Sequence, residues 1–346
     1  MRGLALSLLL LAGLAACSSR GELQFAAPAP DATLRDVWVA NYRADLPHNS
    51  REAPPRPENM EFQRLTISIP ATHEPGQIEW PSGAPDARTD FVAVETQRFS
   101  DGRDFVDAII RSDNSGFEEV LLFVHGYNTR HAEAVYMIAQ FANDFNVLTP
   151  AVLFSWPSAG VTAGYVYDRD SALISRDLLE RAIIELTRPP GRRIMLIGHS
   201  MGSHLIMETL RQIELKGSLD IASKINGLVL MAPDIDGELF RYQVGTIEEL
   251  PDPFVIMVAE QDGALRISSL LTGLRPRLGS QTDRSVVGDL PISVVDVSDL
   301  ATGKNFDHKI VTTSPAAIAI LNKLSEETPP GEASVGELVV LKDFAN

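Results

Sequence analysis

One cysteine, Cys17, stands in 346 residues, so no disulfide can form within the chain. Positive charge is scarce as well: 30 Lys and Arg face 46 Asp and Glu, a net charge of −16. Such a surface repels nucleic-acid phosphates and anionic lipid, and both are discounted as ligands. Metal chemistry has no ligand set to work with, because there is no Cys/His cluster and no His-x-x-x-His pair with an adjacent acid. A glycine-rich phosphate loop is missing too, so no nucleotide cofactor is expected, nor any other cofactor. No internal repeat is present, which removes solenoids and propellers.

What is there begins with an unusual amino terminus. Arg2 precedes an apolar run over 4–14 that is too short to span a bilayer, then small residues and a polar shift at Ser18-Ser19-Arg20. This is the pattern of a secretory signal. Its end, Leu14-Ala15-Ala16-Cys17, resembles the lipobox of bacterial lipoproteins, which implies cleavage after residue 16 and a lipid on Cys17. Ser18 in place of Asp resembles lipoproteins sorted to the Gram-negative outer membrane. The simpler alternative is an ordinary signal cut near Ala16, with Cys17 incidental. Residues 17–59 hold Pro28, Pro30, Pro47, Pro54, Pro55 and Pro57 without apolar periodicity, and read as a tether. Within it, 36–40 is open between a short strand and a docking segment.

The rest of the chain, 45% hydrophobic with 24 Gly and 22 Pro overall, has ordinary globular composition. A domain is expected over 60–328, followed by a tail over 329–346. Alternating segments at 62–69 and 91–96 read as strands, the first as a half-exposed edge strand. Continuous apolar runs at 119–124, 150–154, 194–197, 225–231, 254–258 and 292–297 read as strands buried on both faces. Helical spacing separates them at 104–110, 130–145, 171–187, from 203 onward, and at 316–324. This alternation predicts an α/β protein, a mostly parallel sheet with helices on both faces and ligands at the carboxyl ends of the strands.

The most informative stretch is Gly198-His199-Ser200-Met201-Gly202, between a buried strand and a helix. Gly-x-Ser-x-Gly in that setting is the nucleophile elbow, in which a strained turn lifts the serine above the sheet. After the strand at 119–124 comes His125-Gly126-Tyr127-Asn128. In the α/β-hydrolase fold the oxyanion hole takes one backbone N–H from this loop and one from the residue after the nucleophile, here Tyr127 and Met201. A serine needs a base and an acid to orient it, in the chain order Ser, acid, His. Of seven histidines only His308 lies beyond the last strand, in Asn305-Phe306-Asp307-His308-Lys309. Two places suit the acid: Asp262 after the strand at 254–258, or Asp234 and Asp236 after the one before. Each could instead cap a helix. His125, Asn128, Trp156 and Tyr165 are candidates to wall a substrate pocket, with Trp156 as core and Asp168 as a helix cap the alternative.

Together and in order, His-Gly-Tyr-Asn at 125–128, Phe-Ser-Trp-Pro-Ser at 154–158, Gly-His-Ser-Met-Gly at 198–202, Ala-Pro-Asp at 232–234 and the segment from Asp262 resemble a known group. It is the bacterial α/β-hydrolase family called domain of unknown function 900, described only as predicted esterases or lipases. The resemblance covers roughly 62–324. It implies Ser200 as nucleophile, Asp262 as acid and His308 as base, and it implies no particular substrate. The expectation is therefore a serine hydrolase of the esterase or lipase kind, taking a small ester or lipid-like substrate at the bacterial envelope. The alternatives are an idle hydrolase shell that binds a partner or lipid, and an acyltransferase. Oligomeric state is not legible.

Overall fold

The computed structural model describes residues 22–43, 55–57, 59–113, 118–260 and 262–298. Nine strands form one sheet: β1 (Thr33–Asn41), β2 (Glu61–Ile69), β3 (Val92–Phe99), β4 (Glu119–Val124), β5 (Ala151–Ser155), β6 (Arg193–His199), β7 (Ile225–Met231), β8 (Phe254–Val258) and β9 (Ser293–Asp296). Their spatial order is β3-β2-β1-β5-β4-β6-β7-β8-β9. From β1 to β9 every neighbouring pair is parallel, and β2 alone runs opposite to its two neighbours.

The central strands are mostly apolar, with polar residues such as Glu119, Arg193 and His199 at their ends, because both of their faces are covered. Val120, Leu122 and Val124 of β4 enter one core layer while Leu121 and Phe123 enter the other. The first layer is closed by α1 (Gly102–Ser112), α3 (Tyr165–Thr187), α4 (Met201–Lys216), the short α5 (Ile221–Lys224) and α6 (Gly237–Val244). The second is closed mainly by α2 (His131–Asp144), with Leu265 of α7 (Gly263–Leu271) joining it. Alanine-rich α2 is buried almost all round, since the turn-rich segment between β2 and β3 lies over its outer side. Trp80 packs on Tyr136 with centroids 4.9 Å apart, and the His73 imidazole sits between Glu79 Oε2 at 2.9 Å and Asp144 Oδ1 at 2.8 Å.

Two expectations are corrected here. The stretch read as a tether contains β1, which lies inside the sheet between β2 and β5 with Val37 and Val39 fully buried. The undecided segment at 36–40 is thus a strand, kept in place by backbone pairing on both sides. The segment at 62–69 is in turn an interior strand, and the edge belongs to β3. Alternation reports that one face is wet; it does not report whether the ladder edges are paired.

Candidate active site

The carboxyl ends of β4, β5, β6, β7 and β8 converge on one edge of the sheet. Ser200 lies between β6 and α4 with φ 54° and ψ −120°, a backbone region that non-glycine residues rarely occupy. Neighbouring backbone over-determines this strained conformation. The Ser200 N–H donates to Met231 O at 2.9 Å, and its carbonyl accepts from Asp234 N at 3.2 Å and Ser203 N at 3.0 Å. Two glycines make the close approach possible. A Cβ on Gly202 would fall 2.2 Å from Val124 O, and one on Gly126 would fall 2.9 Å from Ser200 Cβ. The loop after β4 is therefore in contact with the serine. Met201, as first residue of α4, carries a backbone N–H that the helix itself cannot use.

That loop is held from below. The Trp156 N–H donates to His125 Nε2 at 3.1 Å, so the ring proton is on Nδ1, which reaches Gly126 O at 2.9 Å. The Trp156 indole N–H donates to His125 O at 2.8 Å, and the two rings stack 4.9 Å apart. Burial drives the His125 pKa down to about 3, which keeps the imidazole neutral. Both side chains are 0% exposed, so His125 and Trp156 support the loop from beneath and do not line a pocket wall, because their polar atoms are spent on loop backbone. Asn128, at φ 54°, donates its N–H to Asp168 Oδ2 at 3.0 Å. The same carboxylate accepts from Ser158 Oγ at 2.7 Å and from Ala159 N at 2.6 Å. Asp168 is thus a buried clasp between the loops after β4 and β5, and burial raises its pKa against those three donors. Tyr127 donates its hydroxyl to Thr162 O and meets Tyr165 edge-on at 5.4 Å.

The candidate acids differ in what holds them. Asp262, 4% exposed, is the N-cap of α7, with Oδ1 accepting from Ala264 N at 2.9 Å and Leu265 N at 3.0 Å. Asp236 caps α6 in the same way. Asp234 caps nothing and instead pairs through Oδ1 with Arg277 Nε at 3.0 Å and Ser268 Oγ at 2.5 Å. Ser268 also meets the Tyr165 hydroxyl at 2.7 Å, and Arg277 Nη2 donates to that hydroxyl at 3.2 Å. Tyr165 is therefore part of a buried polar network beside the serine. His204, on the first turns of α4, is buried too, and burial lowers its pKa. His308 and Cys17 lie outside the described residues. Sequence reasoning missed Ser268 and Arg277, which carry no motif, and treated Asp168 as a possible cap.

Residues 99–324 match the family described as "Alpha/beta hydrolase of unknown function (DUF900)". No curated protein matches the chain. Among solved structures, lipase B of Aspergillus fumigatus is similar at 14% identity and a TM-score of 0.39, over 68% of this chain and 60% of that one. The chain thus spans three fifths of that lipase's length. A predicted CIB-like hydrolase from Thermoplasma acidophilum is similar at 12% identity and a TM-score of 0.37, over 86% of this chain and 100% of that one. Dienelactone hydrolase from Anabaena variabilis is similar at 12% identity and a TM-score of 0.38, over 77% and 90% of the two chains.

Proposed function

The chain belongs to the family of α/β hydrolases of unknown function, and from that membership we propose that it is a serine hydrolase cleaving an ester through an acyl-enzyme on Ser200. The observation that carries the proposal is the Ser200 backbone, strained at φ 54° between β6 and α4 and in contact with the loop after β4. Strain of this kind persists where surroundings enforce it, and it clusters at reactive positions.

In this reading Ser200 Oγ attacks the ester carbonyl carbon and its proton passes to the His308 imidazole. The carbonyl oxygen, now negative, accepts from the backbone N–H groups of Met201 and Tyr127. The C–O bond to the leaving alcohol breaks as His308 returns the proton to it. Water then attacks the acyl-enzyme by the same route, releasing the acid and restoring Ser200. Asp262 orients His308. Both aspartates fit the chain order that the hydrolase triad requires; the support for Asp262 is that Asp234 is already neutralised by Arg277 and bonded to Ser268, whereas Asp262 follows β8, the place the family resemblance implies. The support for His308 is its place in the chain, beyond β9.

The substrate in this proposal is a small or lipid-like ester, met at the bacterial envelope by a chain anchored through a lipid on Cys17. The motif at 14–17 supports that location. Fluorophosphonate labelling of the full chain, with turnover of short p-nitrophenyl esters in parallel, tests the chemistry. Labelling lost in Ser200→Ala and sharply slowed in His308→Ala is the expected result. A folded wild-type protein that neither labels nor turns over any ester sinks the proposal. Incorporation of labelled palmitate, abolished in Cys17→Ala, is the expected result for the anchor.

A further inference from the structure

The polar network beside the serine also joins two helices, α3 and α7. Asp234 bonds to Ser200 through its backbone and to Ser268 of α7 through its side chain, and Ser268 meets Tyr165 at the start of α3. Next to this junction the two helices turn apolar side chains to solvent. Leu270 is 66%, Leu271 58% and Leu274 72% exposed at the end of α7, and Val166 is 70% exposed beside Tyr165, with Val161 just before it. Exposed aliphatics are ordinary when scattered singly; a group carried by two helices that one hydrogen bond joins, beside the serine, marks an interaction surface.

The backbone holds one of them outward. Gly273 and Leu274 both have positive φ, 86° and 64°, and Leu274 N donates to Ser269 O at 2.8 Å, closing α7 in a Schellman turn. Gly or Asn would take the Leu274 conformation with less strain. A leucine there spends strain on a side chain that touches mostly water. Charge accompanies the patch: Arg169, one turn beyond Val166, and Arg266, one turn before Leu270, are exposed and have no ion-pair partner among the described residues. Arg275 follows Leu274 and pairs with Glu238 at 2.7 Å, and Asp170 is the neighbouring acid on α3.

We propose that this rim docks on a zwitterionic phospholipid surface, presenting the mouth of the Ser200 site to it. Aliphatic side chains enter the boundary of the acyl layer while guanidinium groups within a helical turn reach lipid phosphates. The net charge of −16 opposes a strongly anionic membrane, which is why the surface is zwitterionic. The inference rests on the proposed hydrolase for what happens at the mouth, and it makes a membrane lipid or a lipid-dissolved ester the substrate class.

The test places a tryptophan in the rim as Leu270→Trp, in the full chain carrying Cys17→Ala so that no acyl anchor contributes. Quenching by phosphatidylcholine vesicles with brominated acyl chains is read against the same protein without Leu270→Trp. The expected result is quenching of the added tryptophan, with Leu271→Gln and Leu274→Asn together raising the lipid concentration for half-quenching by about tenfold, since two apolar side chains are lost from the contact. Asn suits the left-handed backbone at 274, and should the pair misfold, Leu271→Gln alone is expected to give part of the shift. Absence of quenching, or an unchanged midpoint in a folded variant, overturns the proposal. So does a dimer in sedimentation velocity that these substitutions dissolve, because the occupant is then a second copy. Quenching is expected to persist in Ser200→Ala. Docking that holds while Ser200→Ala leaves esterase activity intact refutes the hydrolase and keeps the membrane surface.

Discussion

Asp168 offers the sharpest separation of catalysis from mere folding. Its carboxylate accepts three bonds, from Asn128 N, Ser158 Oγ and Ala159 N, in a fully buried setting. Asp168→Asn substitutes an NH2 donor for one of the two oxygens. The amide keeps its oxygen where two donors converge, so the bond most exposed to loss is that of Ala159 N, leaving two donors face to face. A charge-assisted bond lost with a buried donor orphaned costs about 1.5 to 3 kcal/mol. Asp168→Ala loses all three bonds, and about 4 kcal/mol is a reasonable scale for it. The catalytic consequence runs through Asn128, whose N–H is adjacent to that of Tyr127, the proposed oxyanion donor. Complete loss of such a donor costs about 3 to 4 kcal/mol of transition-state stabilisation, so a loosened one is expected to lower kcat by about 10- to 100-fold. KM should change little, because the donor meets charge that develops only after attack. Burst and steady-state kinetics with a p-nitrophenyl ester, beside thermal unfolding, measure both. Asp168→Ala that loses stability while keeping kcat within twofold of wild type refutes the clasp as a positioning residue.

Three further outcomes are expected. Asp262→Asn keeps the cap of α7, since Asn caps as well as Asp, so melting is little changed while kcat falls by about 10⁴-fold; Asp234→Asn leaves Arg277 buried without its counter-charge and is expected to cost about 3 to 5 kcal/mol of stability. Equal kinetic losses in the two would overturn the assignment of the acid. Gly202→Ala, whose Cβ meets the Val124 carbonyl at 2.2 Å, forces α4 away from β4, and fluorophosphonate labelling should slow by about a hundredfold. The pH dependence of stability should carry the signature of His73. Desolvation lowers its pKa, but the hydrogen bonds to Asp144 and then Glu79 outweigh that and raise it to about 9. A histidine raised on folding contributes stability fully present below its unfolded value near 6.5 and lost as pH climbs through 9. Melting temperature is therefore expected to decline across that window in the wild type and to be lower at pH 6 and flatter in His73→Gln; parallel curves would refute the pairing.

How far each feature could be read from sequence follows from how locally it is encoded. The strands Glu119–Val124, Ile225–Met231 and Phe254–Val258 coincide with the predicted runs residue for residue, because strands covered on both faces need apolar side chains at nearly every position, Glu119 and Asn226 near the strand starts being the exceptions. β1 is equally buried over its second half, yet prolines on either side and the absence of alternation gave it the look of tether. Its strand character comes from β2 and β5, one following it and one paired across more than a hundred residues, as Val37 with Ala151, and no local pattern encodes that pairing. α3 starts at Tyr165, six residues before the helical spacing at 171–187 suggested, where the clasp of Asp168 secures its first turn.

The site divides along the same line. Ser200 is legible because a strained strand-to-helix turn needs glycines two residues to either side, a demand confined to five positions. The groups that enforce the strain are not confined in this way. Met231 and Asp234 hold the Ser200 backbone from another strand and the loop after it, Asp168 reaches back 40 residues to Asn128, and Arg277 neutralises Asp234 from beyond α7. None of these pairs has a spacing that physics requires, so none leaves a motif. The acid illustrates the limit most clearly. An aspartate before a helix has the same sequence signature whether it only caps or also orients a base, because capping engages Oδ1 of Asp262 and a catalytic role would be read by the other oxygen. Asp234, by contrast, is paired with Arg277, a partner 43 positions downstream, and that difference between the two aspartates exists only once the chain is folded.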